Sequence, residues 1–232
     1  MVLRRRLSNP ILIFCVTLLA AIAIQPRLQG QSSSTSSSAA KHAKKPATPA
    51  DSGLDPGSVS AGAYRNKALG LTCKIPDGWV LRTDEMNAQD PEQTPDSSAG
   101  NAASSAGAEV LLAAFSRPPA AKGEDVNSSI LIAAESASAY PGLKDAVQYF
   151  GPLTEVAKAQ GFTADEEPYE VAIGTKPLVR ADFHKDVGSR VMWQSTLAML
   201  ARGYAVSITL IGGTEDEVEE LMEGLSFGAS AK

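Results

Sequence analysis

Arg180, Asp182 and His184 stand at alternate positions of an apolar run, and this spacing makes them the chain's first candidate for chemistry. Residues at i, i+2 and i+4 of a strand project from one face, so a guanidinium, a carboxylate and an imidazole would lie side by side. Such a set could move a proton or hold a metal. The chain has 2 histidines, and the other, His42, lies far upstream. A three-ligand site would need carboxylates from elsewhere. A polar sheet face, or a contact with a covering helix, explains the same three residues with less machinery.

Four further motifs have structural readings that outweigh the chemical ones. Gly224-Leu225-Ser226-Phe227-Gly228 matches G-x-S-x-G, but a nucleophile elbow needs a strand before its serine and a helix after it. Here a helical pattern precedes Ser226, and no His or Asp follows. Gly212-Gly213-Thr214 could present amides to a phosphate. Glu215, Asp216 and Glu217 would repel that anion, and the lysine of a P-loop is missing. The acids from Glu215 to Glu223 lack the glycine and ligand spacing of a calcium loop. The spacing of Trp79 and Trp193 fits core and turn packing better than an exposed aromatic platform.

The elements that would position these residues can be read from periodicity. Val179, Ala181 and Phe183 alternate with the polar triplet, so Leu178–His184 is a half-buried strand. Asp186-Val187-Gly188 turns into Arg190–Ala201, and Arg202-Gly203 turns into Tyr204–Ile211. Connections this short make an antiparallel meander, with a shorter strand at Val171–Gly174 leading in. Thr214 and Glu217 form a capping box for a final helix whose stripe is Val218, Leu221, Met222 and Leu225. Ser226-Phe227 is expected to return to a sheet.

Upstream, Ala63–Asn66 and Gly70–Ile75 read as short strands, with Pro76-Asp77-Gly78 as turn chemistry. Strands are expected at Val110–Ser116 and Ser129–Glu135. A helix with the stripe Leu143, Ala146, Val147, Phe150, Leu153 and Ala157 follows. It should kink or split at Gly151-Pro152 and stop at Gly161. One antiparallel sheet with helices packed on it is the economical α+β architecture. Its alternation predicts a filled sandwich with no cavity equipped for catalysis.

The first residues are of another kind. Arg4, Arg5 and Arg6 precede an apolar run from Ile11 to Ile24 with Ala21-Ile22-Ala23 as a cleavage site, the pattern of a secretory signal peptide over residues 1–23. An uncleaved short anchor and, through Cys15, lipidation are the alternatives. Residues 24–60, rich in Ser, Ala, Lys and Pro, read as a disordered linker, and 87–108 as a low-complexity insertion within a domain spanning 61–229. The formal charge is −5; loss of Arg4, Arg5 and Arg6 takes it to −8, and a later cut after Gly30, which also removes Arg27, takes it to −9. An acidic exported domain suits neither nucleic acid nor an anionic membrane, so membrane contact is expected only through an uncleaved leader. Of the 2 cysteines, Cys15 is in the leader and Cys73 stands alone, which leaves no internal disulfide.

Tyr64-x-Asn66, Leu69-Gly70-Leu71 and Ile75-Pro76-x-Gly78-Trp79, with the ending Gly203-Tyr204, Gly212-Gly213-Thr214 and Leu225-Ser226-Phe227, resemble PsbP-like domains. These share an α/β/α sandwich with the Mog-type import factor. The resemblance implies that fold for Ala63 to Phe227 and a non-catalytic docking or assembly role. The expectation is therefore a secreted or periplasmic module, not an enzyme, with no cofactor or metal and an unidentified protein partner. A small-ligand or lipid carrier using a cleft between sheet and helices is the alternative.

Overall fold

Strands lead the chain in and helices seal it. In the computed structural model, which describes residues 54–88, 108–118, 121 and 126–228, the expected signal peptide, most of the linker and the body of the 87–108 insertion lie outside the described residues. The large sheet is antiparallel and runs β4 (Val80–Leu81), β5 (Ala108–Phe115), β6 (Ser129–Ser136), β11 (Tyr204–Gly212), β10 (Arg190–Ala201), β9 (Lys176–Val187), β7 (Thr163–Ala164), with β8 (Tyr169–Ile173) also paired to β9. The meander β9–β10–β11 is in the expected order, with Asp182 opposite Ser195 and His184 opposite Trp193.

Alternation sorts this sheet into two apolar faces. Leu178, Leu197, Met199, Val206, Ile208 and Leu210 point to one, with Ile130 and Ile132 beside them. Val179, Ala181, Phe183, Met192, Ala205 and Ile211 point to the other. On that second face lies helix α2 (Ala146–Ala159), capped by Asp145, whose carboxylate accepts from the Gln148 amide at 2.9 Å. Tyr149, Phe150 and Ala157 are its buried residues, while Val147 is exposed. The expected stripe is thus rotated: Tyr149 takes the inward place assigned to Val147, because its hydroxyl reaches the buried carboxylate of Glu135 at 2.7 Å. Burial and that carboxylate drive the phenol's pKa upward. Nor does α2 divide at Gly151-Pro152; it continues through Pro152, held by packing on both sides of it. It ends at Gly161, whose φ of +85° fits the left-handed stop.

The first face is covered by something periodicity did not foretell, a second sheet. Strands β1 (Ser58–Ser60), β2 (Ala63–Asn66) and β3 (Leu71–Lys74) join the terminal β12 (Leu225–Phe227) in the order β1-β2-β3-β12. Tyr64, Leu71, Cys73 and Leu225 pack down onto the large sheet together with Val218 and Leu221 of helix α3 (Glu215–Glu223). The fold is therefore the expected antiparallel sheet flanked by helices, with one flank completed by short strands. It also begins earlier than residue 61: β1 pairs with β2, and Leu54 is buried, so the end of the presumed linker is built into the fold. Asn87, placed at the start of the insertion, instead belongs to a short helix, α1 (Thr83–Ala88), and its amide group exchanges hydrogen bonds with Val110 at 2.8 and 2.9 Å.

Candidate functional site

Arg180, Asp182 and His184 lie on β9, on the face that α3 and the small sheet cover, as their alternation with Ala181 and Phe183 requires. The structure separates them into two groups. Arg180 donates from Nε to Asp182 Oδ1 at 2.9 Å and from Nη2 to Glu219 Oε1 of α3 at 2.5 Å. Asp182 also accepts from the Tyr169 hydroxyl at 2.7 Å and from Ser195, which is fully buried on β10. One carboxylate therefore gathers donors from β8, β9 and β10, and Arg180 extends that grip to the helix. Burial works against the Arg180 charge, but Glu219 and Asp182 outweigh it and hold its pKa above the ordinary value. Burial, then Asp182, raises that of the Tyr169 phenol.

His184 stands apart from this network. Its Nδ1 meets Asp165 Oδ1 at 2.5 Å, and its ring lies 5.6 Å from that of Trp193. Asp165 is itself placed by its amide, which donates to the Asp182 carbonyl at 3.0 Å. The hydroxyl of Ser195 and the imidazole of His184 thus answer to different carboxylates. The arrangement joins strands to a helix; it does not assemble a nucleophile with its base. Among the described residues no group of three or more His, Cys, Asp or Glu is placed to hold a metal ion.

Helix α3 is set down by its own first turn. Thr214 Oγ1 accepts from the Glu217 amide at 3.1 Å, which is the expected cap. The reciprocal bond differs from the expected box: Glu217 reaches back to the Gly213 amide at 2.8 Å, one residue before the cap, and also accepts from Ser128 at 2.5 Å. Gly212 makes this approach possible, since a Cβ there would lie 3.1 Å from Val218 and 3.2 Å from Glu217. Ser226 lies in β12 opposite Thr72, so the serine of the G-x-S-x-G string is a strand residue, and Gly224 before it caps α3.

Two clefts open on either side of α3. The first, about 410 Å³, lies between the helix and the β9–β10 corner; Asp165, Arg180, Asp182, Trp193 and Glu219 are among its walls, and His184 is not. The second, about 550 Å³, runs along the other flank past Lys74, Ile75, Trp79, Glu220 and Glu223. A uniformly filled sandwich was the expectation. The helix rests on the end of the sheet through buried Val218 and Leu221, with partly buried Met222 beside them, and its flanks stay open. The sequence reading missed Asp165, Tyr169, Ser195 and Glu219 as partners of the triplet, and both tryptophans as cleft walls. An acidic helix following a polar strand face was the available signal for Glu219.

This architecture, an antiparallel sheet with helices and a short-stranded sheet on its faces, is of the sandwich kind that the sequence resemblance implies. Solved structures similar to it include a cyanobacterial PsbP from Synechocystis, 15% identical, TM-score 0.42, covering 74% of this chain and 96% of that one. They also include LpqN of Mycobacterium tuberculosis, described as involved in cell envelope biogenesis, 14% identical, TM-score 0.37, with 68% and 83% covered. A Pseudomonas aeruginosa protein of unknown function is 17% identical, TM-score 0.33, with 66% and 88% covered. No family model matches the chain, and no curated protein matches it.

Proposed function

We propose that the chain is an exported, non-catalytic module that docks a protein partner on the outer face of α3. The observation carrying this reading is how the polar groups are divided. Arg180, Asp182, Tyr169, Ser195 and Glu219 are spent on fixing the helix. Glu215, Asp216, Glu220 and Glu223 on its exposed side make no ion pair or side-chain hydrogen bond among the described residues. A rigid mount beneath an unsatisfied, cleft-flanked surface suits recognition. Carboxylates line both clefts, which suits an acyl chain poorly and weakens the carrier alternative. Export rests on the basic, apolar leader and its small-residue cleavage site.

The test is capture from envelope extracts with the tagged full-length chain, run beside the Glu220→Lys/Glu223→Lys variant. The reading expects a discrete protein retained by the wild type and lost with the variant. Identical recoveries from both, or none from either, would contradict it.

A further inference from the structure

The two clefts share one wall, and that wall decides what they fit. Each places an indole beside carboxylates: Trp193 with Asp216 and Glu219 on one flank, Trp79 with Glu220 and Glu223 on the other. The cation in the first cleft, Arg180, is already held by Asp182 and Glu219. Both indoles are partly buried against the main apolar cluster, so their orientation is fixed before any ligand arrives.

The helix between them is electrostatically incomplete. Glu215 and Glu219, Asp216 and Glu220, and Glu219 and Glu223 are like-charged pairs at i, i+4, which oppose helix formation. Its last turn carries no basic residue to meet the negative end of its dipole. Positive charge laid across this face would relieve the repulsion in these three pairs and meet the helix dipole, and an indole attracts a cation or the stem of a lysine or arginine side chain.

We propose that this double cleft binds an extended, lysine- or arginine-bearing polypeptide segment of a partner, with basic side chains from alternate positions, which share one face of an extended chain, entering the Trp193 and Trp79 clefts across α3. The inference rests on the docking reading above and names the chemistry of its partner.

The test uses the full chain and fluorescein-labelled (Lys-Ala)5 peptide, with (Glu-Ala)5 as control and spermine as competitor. Anisotropy should report (Lys-Ala)5 binding that weakens with salt, and no binding of (Glu-Ala)5. Glu220→Lys/Glu223→Lys should weaken it at least tenfold. Asp84→Lys/Glu155→Lys makes the same change in net charge on α1 and α2, and should weaken binding less than twofold. Trp79→Phe and Trp193→Phe preserve bulk and should each weaken it two- to fivefold. Equal losses in the two double variants would reduce the effect to net charge and overturn the proposal. So would displacement by spermine as complete, charge for charge, as by unlabelled (Lys-Ala)5, which would assign the clefts to small cations. If the envelope partner is still captured through α3 while (Lys-Ala)5 fails to bind, the basic-segment proposal falls and the docking reading stands.

Discussion

Replacing Asp182 by alanine removes the acceptor shared by three donors. Ser195 has no exposure and would keep a hydroxyl without its partner; Tyr169 would lose its bond as well. Arg180 would retain Glu219 but lose the better covered carboxylate, the side chains of Arg180 and Asp182 being 15% and 20% exposed. Breaking one side of a buried pair costs about 3–5 kcal/mol, and an orphaned buried hydroxyl about 1–3 kcal/mol. The residual exposure lets water repair part of this, so the expected net loss is about 3 kcal/mol. In a domain of this size that lowers Tm by roughly 6–12 °C. Asp182→Asn keeps an acceptor and should lose about half as much. Urea unfolding followed by tryptophan fluorescence reads the change directly, with Trp193 at the edge of the network. A loss under about 1 kcal/mol for Asp182→Ala would refute the argument that this cluster braces the sheet against α3.

Three other outcomes follow from the same geometry. Burial pushes the Cys73 thiol up to about 12, and chiefly burial pushes the Tyr64 phenol up to about 12. Both folded values lie above the unfolded ones, so their contribution is intact at neutral pH and is lost as pH climbs, from about 9 for the thiol and about 10 for the phenol, up to about 12. Each group costs up to about 1.4 kcal/mol per pH unit within its window; urea midpoints at pH 8, 9.5 and 11 should fall, with a smaller drop from 8 to 9.5 in Cys73→Ala. Thr214→Ala removes the cap on Glu217 and should cost about 1 kcal/mol in the same assay. Glu220→Lys/Glu223→Lys, which abolishes docking in this account, should raise stability by about 0.5–1 kcal/mol by relieving repulsion and meeting the helix dipole; a destabilised variant would mean these acids have folding partners.

The meander and α3 were legible because their information is local. Val179, Ala181 and Phe183 alternate without interruption, and Thr214 caps within three residues, so neighbours in sequence suffice to specify neighbours in space. The second sheet was not legible, since β3 pairs with β12 across most of the domain and strands of 4 and 3 residues carry too little pattern to name a partner. Tyr149 was misplaced because a helical stripe records apolarity and cannot anticipate that Glu135 would be buried on the sheet and draw a phenol inward. The triplet on β9 was found as a set. Its division, Asp182 to Ser195 and His184 to Asp165, depended on which residues β10 and the β7 edge bring opposite, and alternation along one strand holds no record of that.

The central claim is that α3 is the surface a partner meets. A photo-crosslinking amino acid placed at Glu220 of the full-length chain, and in a second protein at Glu155 on the opposite layer, tests it in intact cells. The account predicts a discrete adduct from position 220 and none from 155. Matching adducts from both positions, or an adduct from 155 alone, would contradict it.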